Sequence, residues 1–146
     1  MLKKLQMRTV YTSGTFDMFH IGHLNVLKKS KALGDYLIVG VSRDELVESY
    51  KKARPIIPFE DRVEIVRHLD FVDQVVPQEN LFDSGLMRAY GVNVMTIGDD
   101  WRSKSNQNLS ALIDSSDIEV VFLPYTQSVS STSIKEKIAK GWQDDK

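Results

Sequence analysis

Short apolar segments alternate with amphipathic segments along the whole chain. The apolar segments are rich in β-branched and aromatic residues, and they predict five strands, at 8–13, 36–41, 71–76, 92–97 and 118–123. Apolar residues at helical spacing predict helices at 20–33, 59–69, 81–90, 106–116 and 130–140. Strands that alternate with helices are typical of βαβ units and a parallel sheet. The pattern therefore predicts an α/β fold: a single Rossmann-like, doubly wound domain over residues 1–146 with a five-stranded parallel sheet.

Glycine, proline and serine residues supply the predicted element boundaries. Gly34 follows the first helical segment in the position of a C-terminal glycine. Ser42 is expected to begin a short helix, with Glu45 three residues later completing a capping box. Pro77 is expected to close the third strand, and residues 51–58, which contain two prolines and a basic cluster, are predicted to form a loop.

Composition and charge narrow the class of protein. Hydrophobic residues make up 42% and charged residues 27% of the chain, as in ordinary globular domains. Nineteen basic against twenty acidic residues give a net charge of −1, which offers no electrostatic basis for binding nucleic acid or a membrane surface. The absence of cysteine excludes disulfides, thiolate catalysis and cysteine-ligated zinc. No segment approaches the ~20 apolar residues of a membrane span, and the N-terminus lacks a signal-peptide pattern, so we expect a cytoplasmic protein.

Three segments that follow predicted strands carry polar and aromatic residues suited to ligand binding, at 14–23, 98–102 and 125–132. In open parallel sheets, ligands bind beyond the carboxyl ends of the strands, at the point where the strand order reverses. We therefore expect the three segments to converge on one site.

The first of these segments contains two of the three histidines. His20 and His23 are three residues apart at a helix start, so they share one face of its first turn. Free backbone amides and imidazoles at a helix N-terminus suit an anionic group such as a phosphate. A single histidine is more often structural, and we interpret His68 in that way. The pair at a strand–helix junction favours a ligand-binding role.

Other readings of the histidine pair are less favourable. Zinc would need a third ligand such as Asp17, and metal-binding histidines on a helix more often lie four residues apart, so we predict no metal-ligating residues. No Gly-Lys-Ser/Thr sequence follows Gly14, which excludes a P-loop. The glycine spacing of a dinucleotide-binding loop is also missing.

Three motifs carry a resemblance to a known family. Residues 14–17 (GTFD) followed by 20–23 (HIGH) resemble the HxGH signature of the nucleotidylyltransferase superfamily. Residues 98–101 (GDDW) look like the base-binding loop of its short cytidylyltransferases, and residues 130–134 (SSTSI) are similar to their phosphate-binding serine-threonine segment. The resemblance runs from about residue 10 to residue 138 and is strongest to the glycerol-3-phosphate cytidylyltransferases.

This resemblance implies transfer of CMP from CTP to a small phosphorylated alcohol, with release of pyrophosphate. It implies Mg²⁺ accompanying CTP, and a homodimer. His20 and His23 would donate to phosphate oxygens and Lys51 would neutralise the triphosphate, these three being the expected catalytic residues. The expected nucleotide-binding residues are Gly14, Thr15, Phe16, Gly22, Lys52 (the alternative to Lys51), Asp100, Trp101, Tyr125, Thr126, Ser130, Ser131 and Thr132. Secondary candidates are Arg62 and Asp17.

The sequence departs from the family pattern on the acceptor side. Tyr125 and Asp70 stand where the resemblance calls for arginines, and residues 81–90 lack the expected lysine. The acceptor therefore stays open among glycerol phosphate, another polyol or sugar phosphate, and a phosphorylated amino alcohol. Two alternative functions also stay open, namely an adenylyltransferase that uses ATP and a catalytically silent nucleotide-binding protein.

Overall fold

The centre of the molecule is a five-stranded sheet in which every strand pairing is parallel. The computed structural model describes residues 7–124 and 130–141. The strands are β1 (Thr9–Gly14), β2 (Tyr36–Ser42), β3 (Gln74–Gln78), β4 (Val94–Gly98) and β5 (Glu119–Leu123). Their spatial order is β3-β2-β1-β4-β5. The predicted Rossmann-like α/β architecture is confirmed.

Helices connect the strands. They are α1 (Ile21–Lys31), α2 (Asp44–Lys51), α3 (Phe59–Arg67), α4 (Ser84–Ala89), α5 (Gln107–Asp114) and α6 (Ser131–Ala139). A 3₁₀ helix, Asp99–Ser103, follows β4 directly and was not predicted from the sequence. Within the described ranges, no helix is long and apolar enough to cross a membrane.

The sheet has a buried apolar cluster on each face, because successive strand residues point to opposite sides. One cluster combines strand valines with Leu27 of α1 and Val66 of α3, both 0% exposed. The other combines Tyr11 and Ile38 with helix residues such as Leu112 of α5. Each fully buried aliphatic side chain contributes about 1.5–3 kcal/mol. The helices therefore fix the sheet from both sides and leave its carboxyl edge to the loops.

The strand order reverses between β1 and β4. The chain steps outward from β1 to β2 and β3, and then returns to place β4 on the other side of β1. The loops after β1 and β4 therefore diverge onto opposite faces of the sheet and leave a crevice at its carboxyl edge.

Gly34 has a different role from the predicted one. Helix α1 ends at Lys31 with Ala32 as its C-cap, and Gly34 is not among the glycines with positive φ. A Cβ at Gly34 would lie 2.5 Å from the backbone oxygen of Arg8 and 2.7 Å from Val10 Cγ2. The glycine is needed because the turn before β2 packs directly on the start of β1.

Two boundary predictions around β2 and β3 are wrong. Ser42 is the last residue of β2, and α2 begins after Arg43 without a side-chain cap. Strand β3 begins at Gln74 and runs through Pro77 to Gln78. Proline is tolerated there because β3 is an edge strand, so its missing N–H leaves no ladder bond unmade.

Candidate active site

A cleft of about 340 Å³ opens at the carboxyl edge of the sheet, beside the point where the strand order reverses. The ends of β1, β2 and β4 form its floor, and α2, the 3₁₀ helix and α6 contribute to its walls. The described parts of all three predicted ligand-binding segments contribute lining residues. The structure thus brings together segments that are more than 100 residues apart in sequence.

The loop after β1 has a constrained backbone. Phe16 and Met18 adopt positive φ angles of 55° and 49°, which are unfavourable for residues with side chains. The buried Phe16 ring lies edge-on to His23 with ring centroids 5.5 Å apart. A Cβ at Gly14 would lie only 3.1 Å from the Phe16 ring, so the glycine makes room for it. Packing of Phe16 therefore holds the loop in its strained shape and places His23.

The two histidines cap the helix that carries them. Nδ1 of His20 accepts from the Gly22 amide at 3.0 Å, and Nδ1 of His23 accepts from the His20 amide at 3.2 Å. A backbone N–H can only donate, so neither Nδ1 carries a proton and each neutral ring is protonated at Nε2. His23 lines the cleft, and His20 lies beside it with Nε2 3.4 Å from Ser131 Oγ. The caps thus orient two N–H donors next to the start of α6, with the His23 donor in the cleft and the His20 donor beside it.

The histidine rings are stacked, with centroids 3.8 Å apart. Burial lowers the pKa of His23 to about 4, and the neighbouring His20 and Lys51 add to this shift. Burial also lowers the pKa of His20. Both rings are therefore neutral near pH 7, in agreement with the hydrogen bonds at Nδ1.

His23 makes stability depend on pH. Because its pKa is about 4 in the folded protein and about 6.5 in the unfolded chain, the unfolded chain binds more protons between these values. The neutral His23 leaves the free energy of unfolding at its full value above pH 6.5, and this free energy decreases as the pH falls below that value. We expect His23 to remove about 2 kcal/mol from the free energy of unfolding between pH 7.5 and pH 5. Urea unfolding at both pH values measures this change.

The matched control for that measurement is His23→Asn, whose amide oxygen can still accept from the His20 N–H. Titrating groups that do not interact with His23 affect both proteins equally. The difference in unfolding free energy between the two proteins should therefore shift by about 2 kcal/mol in favour of the variant at pH 5. A difference that stays constant with pH would contradict the lowered pKa.

Asp17 ties the histidine loop to the loop after α2. Its buried carboxylate accepts from the amides of Ile56 and Ile57 at 2.8 and 2.9 Å, and Lys135 Nζ lies 3.6 Å away. These contacts engage both carboxylate oxygens. The described ranges contain no group of three or more His, Cys, Asp or Glu residues that could hold a metal ion. Asp17 thus acts in this structure as a loop-positioning residue.

Three lysines from separate elements line the cleft: Lys51 at the end of α2, Lys104 after the 3₁₀ helix, and Lys135 on α6. Burial lowers the pKa of Lys51, and repulsion from Lys135 and Lys104 lowers it further. Among the described lining residues, these three ammonium groups and Arg54 outnumber the two carboxylates, so the cleft is positively charged, which suits a polyanion. Lys52 has a left-handed φ of 59°, is exposed, and does not line the cleft.

Trp101 and Asp100 lie at one end of the cleft, on the 3₁₀ helix after β4. Phe82 packs edge-on against Trp101 with centroids 5.0 Å apart. Lys104 Nζ lies 4.6 Å from the centroid of the Trp101 ring and 3.2 Å from Asp100 Oδ2. The flat indole of Trp101 can stack on a planar base, and the Asp100 carboxylate beside it can accept a hydrogen bond from the amino group of that base.

The start of α6 supplies hydroxyl groups and a helix N-terminus. Ser130 caps the helix through reciprocal bonds with Ser133, each 3.0 Å long. Ser131 Oγ donates to the backbone oxygen of Asp17 at 2.8 Å, which fixes α6 against the histidine loop. Ser131 and Thr132 line the cleft. The expected nucleotide-binding residues Tyr125 and Thr126 lie outside the described residues.

The sequence of the whole site region matches that of a known family. Residues 11–137 match the sequence model of the family described as cytidylyltransferase-like. The chain belongs to the cytidylyltransferase-like family. It is therefore an enzyme of the nucleotidyltransferase class.

Individual relatives of this cytidylyltransferase-like protein cover nearly all of it. It is 39% identical over 135 residues to the glycerol-3-phosphate cytidylyltransferase of Bacillus subtilis, covering 91% of this chain and 98% of that one. It is 36% identical over 149 residues to the FAD synthase of Thermococcus sibiricus, covering 96% and 97% of the two chains. Among solved structures, a lipopolysaccharide core biosynthesis protein from Thermoplasma volcanium superposes with a TM-score of 0.67 at 26% identity, over 85% of this chain and 100% of that one.

Arg62, a secondary candidate, lies behind the cleft of the cytidylyltransferase-like domain. Its side chain is 0% exposed and forms an ion pair with Asp44. It also donates to the backbone oxygens of Ile57, Thr15 and Ser42, at 2.8, 2.7 and 2.9 Å. Arg62 is therefore placed to support the cleft rather than to contact a ligand. Gly22 likewise does not line the cleft, and its amide is bonded to His20.

Several residues that line the cleft were missed in the sequence. Lys135 stands one helical turn after Ser131, and that spacing could have placed it beside the predicted phosphate-binding segment. Lys104 likewise stands four residues after Asp100 of the GDDW loop. Ser13, Ser42 and Gln78 also line the cleft, and nothing in the sequence distinguished them from ordinary strand-end polar residues.

Proposed function

We propose that this protein transfers CMP from CTP to a small phosphorylated alcohol and releases pyrophosphate. The observation that carries the proposal is a cleft lined by the His23 imidazole, three lysines and a Trp–Asp pair, with the His20 imidazole beside it. Each group suits one part of a nucleoside triphosphate. The relative named as a glycerol-3-phosphate cytidylyltransferase supports the same reaction class.

The proposed reaction needs no covalent enzyme intermediate. An oxygen of the acceptor's phosphate attacks the α-phosphorus of CTP, the bond from that phosphorus to the bridging oxygen breaks, and pyrophosphate leaves with the electron pair. Catalysis then consists of positioning and of stabilising charge on the phosphate oxygens. The Nε2–H groups of His20 and His23 and the ammonium of Lys51 are the proposed donors.

Mg²⁺ is proposed to accompany CTP and to neutralise charge on its phosphates. Of the described residues, Asp17 and Asp100 are the carboxylates that line the cleft, and each already bonds to other donors. The residues therefore fit an ion held mainly by phosphate oxygens and water, as is usual for Mg²⁺ in nucleotide sites. The chain's own contribution is the arrangement of cations and N–H donors around those phosphates.

The Trp–Asp end of the cleft leads us to expect a preference for CTP. Trp101→Ala should weaken CTP binding by about 1–3 kcal/mol, because one stacking surface is lost. Trp101→Phe keeps an aromatic face and should retain most of the affinity. Isothermal titration calorimetry measures both variants against the unmodified protein. Unchanged CTP affinity in Trp101→Ala would place the base elsewhere.

Adenylyl transfer from ATP is the second candidate function. It is favoured by the relative named FAD synthase, since FAD contains an adenine nucleotide. Comparing kcat/KM for pyrophosphate release from CTP and from ATP separates the candidates. Turnover with ATP equal to or above that with CTP would replace the cytidylyl proposal.

The acceptor is proposed to differ from glycerol 3-phosphate. Asp70, which stands where the resemblance calls for an arginine, is exposed and does not line the cleft. The arginines nearest to the altered positions, Arg67 and Arg88, bond to Glu64 and Asp117 on the surface instead. These arginines are therefore not available to bind the acceptor's phosphate in the way that the cationic residues of the family pattern do.

A further inference from the structure

A row of neutral polar side chains lines one side of the cleft, at the ends of β1, β2 and β3. We call Ser13, Ser42 and Gln78 the polar wall; all three line the cleft. Ser42 and Gln78 are paired in the register of β2 and β3, and Ser13 is paired with Gly40. Gly40 has no side chain, and the hydroxyl end of Tyr11 occupies the space where its Cβ would lie. Gln78 reaches across β2 to Ser13 on β1 beside this hydroxyl.

Hydrogen bonds hold the polar wall in one arrangement. Ser42 Oγ donates to Gln78 Oε1 at 2.6 Å, and Gln78 Nε2 donates to Ser13 Oγ at 3.0 Å. Gln78 is only 4% exposed and Ser42 1% exposed. A primary amide offers two N–H groups and two oxygen lone pairs. Among the described residues, one of each is engaged, so one N–H group and one oxygen lone pair of the Gln78 amide have no hydrogen-bond partner in the protein.

The polar wall carries no charge, and the groups around it favour neutral or anionic ligands. Asp17 and Asp100, the described carboxylates of the cleft lining, are engaged by Ile56, Ile57 and Lys104. Within the described lining of the cleft, an ammonium group bound beside the wall would therefore find no carboxylate that lacks another partner, and the lysines would repel it. Hydroxyl groups, in contrast, can both donate to and accept from a glutamine amide.

The strand order places the polar wall on the acceptor's side of the cleft. Trp101 and Asp100 follow β4, on one side of β1, whereas Ser42 and Gln78 end β2 and β3 on the other side. His23 and Ser131 lie around the end of β1 between these two ends. A nucleotide that spans the base end and the phosphate-binding groups leaves the wall to the attacking molecule.

We propose that the polar wall selects the acceptor. Gln78, with Ser13 and Ser42, binds hydroxyl groups of a polyol phosphate or sugar phosphate that carries no amino group, and it disfavours phosphorylated amino alcohols. This inference rests on the proposed function, because it assigns the second substrate of the same reaction. Gln78 and Ser13 are then specificity-determining residues that contact the acceptor's body rather than its reacting phosphate.

The first test compares acceptors. Pyrophosphate release with CTP is measured for glycerol 3-phosphate, ribitol 5-phosphate and several sugar 1-phosphates, and for phosphoethanolamine and phosphocholine. We expect the best hydroxyl-bearing acceptor to exceed both amino alcohol phosphates in kcat/KM by about tenfold or more. A higher kcat/KM for phosphoethanolamine than for every hydroxyl-bearing acceptor would overturn the proposal.

The second test uses variants of the polar wall with a matched control. Gln78→Met keeps the side-chain length and removes the amide, so it should raise the acceptor's KM about tenfold and leave the KM for CTP unchanged. Gln107→Met makes the same substitution on the exposed start of α5 and should change neither constant. Ser13→Asp keeps an acceptor for the Gln78 amide and adds a carboxylate, which should shift the ratio of kcat/KM values towards phosphoethanolamine.

Ser13→Ala provides the same acceptor measurement if Gln78→Met does not fold. An unchanged acceptor KM in the folded variants contradicts the proposal. If no acceptor releases pyrophosphate, the proposed function fails, and calorimetric binding of the same panel to the CTP-loaded protein decides the inference separately. Stronger binding of hydroxyl-bearing phosphates supports the polar wall, whereas stronger binding of phosphoethanolamine, or binding of none, overturns it.

Discussion

Replacing His20 or His23 with alanine is expected to lower the maximal rate of pyrophosphate release by about 10²–10³-fold in each case. Backbone amides hold both rings as neutral tautomers with the proton on Nε2. Donors that are placed before the reaction stabilise charge as it develops on the phosphate oxygens, more than they stabilise bound CTP. The affinity for CTP should therefore fall much less than the rate.

Single-turnover rates and melting temperatures, measured on the same samples, separate catalysis from stability. The double variant should lose less than the product of the single losses, because both rings act on one group. His68→Ala is the matched control: this third histidine ends α3, is exposed, and bonds to the backbone oxygen of Glu64. A variant of His20 or His23 that melts early but turns over normally removes that residue from the catalytic set.

Replacing Arg62 with methionine is expected to destabilise the protein by about 3–5 kcal/mol. The side chain is 0% exposed and bonds to three backbone oxygens in addition to Asp44, which is itself only 17% exposed. Methionine fills much of the volume but satisfies none of these acceptors. Three carbonyl groups would lose a buried donor, and the largely buried Asp44 carboxylate would be left to Arg54 and the Phe59 amide. Removing one partner in this way is the costly way to break a largely buried ion pair.

Arg67→Met on the same helix is the matched control. Arg67 pairs with Glu64 three residues earlier, and both side chains are more than half exposed, at 56% and 58%. Such surface pairs contribute about 0–1 kcal/mol. Urea unfolding of both variants gives the comparison. A loss below about 1 kcal/mol for Arg62→Met would show that the buried acceptors find other partners.

Local sequence patterns predicted most of the fold. The apolar run that forms β2 is buried along almost its full length, as expected of a central parallel strand. The helix predicted over residues 130–140 is present as α6 (Ser131–Ala139), with Ser130 as its N-cap. Gly34, Ser42 and Pro77 were misinterpreted because their roles depend on neighbouring strands. Gly34 accommodates the start of β1, Ser42 bonds to β3, and Pro77 is acceptable only because β3 lies at the sheet edge.

The candidate site was predictable to the extent that its residues lie in short motifs. His20 with His23 and Asp100 with Trp101 are each local in sequence, and each pair lies at the cleft or beside it. Ser42 and Gln78 are 36 residues apart, and only the register of β2 and β3 joins them. Polar residues at strand ends are common, so their chemistry becomes visible only when the pairing is known.

The position of Arg62 limits how the cleft can open and close. One guanidinium joins three segments of the same rim: the loop after β1 at Thr15, the end of β2 at Ser42, and the loop before α3 at Ile57. Separating any two of these segments would break bonds to a charge that no water reaches. These three segments therefore move as one rigid body, and Ser131 ties the start of α6 to the same body through its bond to Asp17. We therefore expect the motion that admits and releases ligands to occur on the opposite rim, at the 3₁₀ helix.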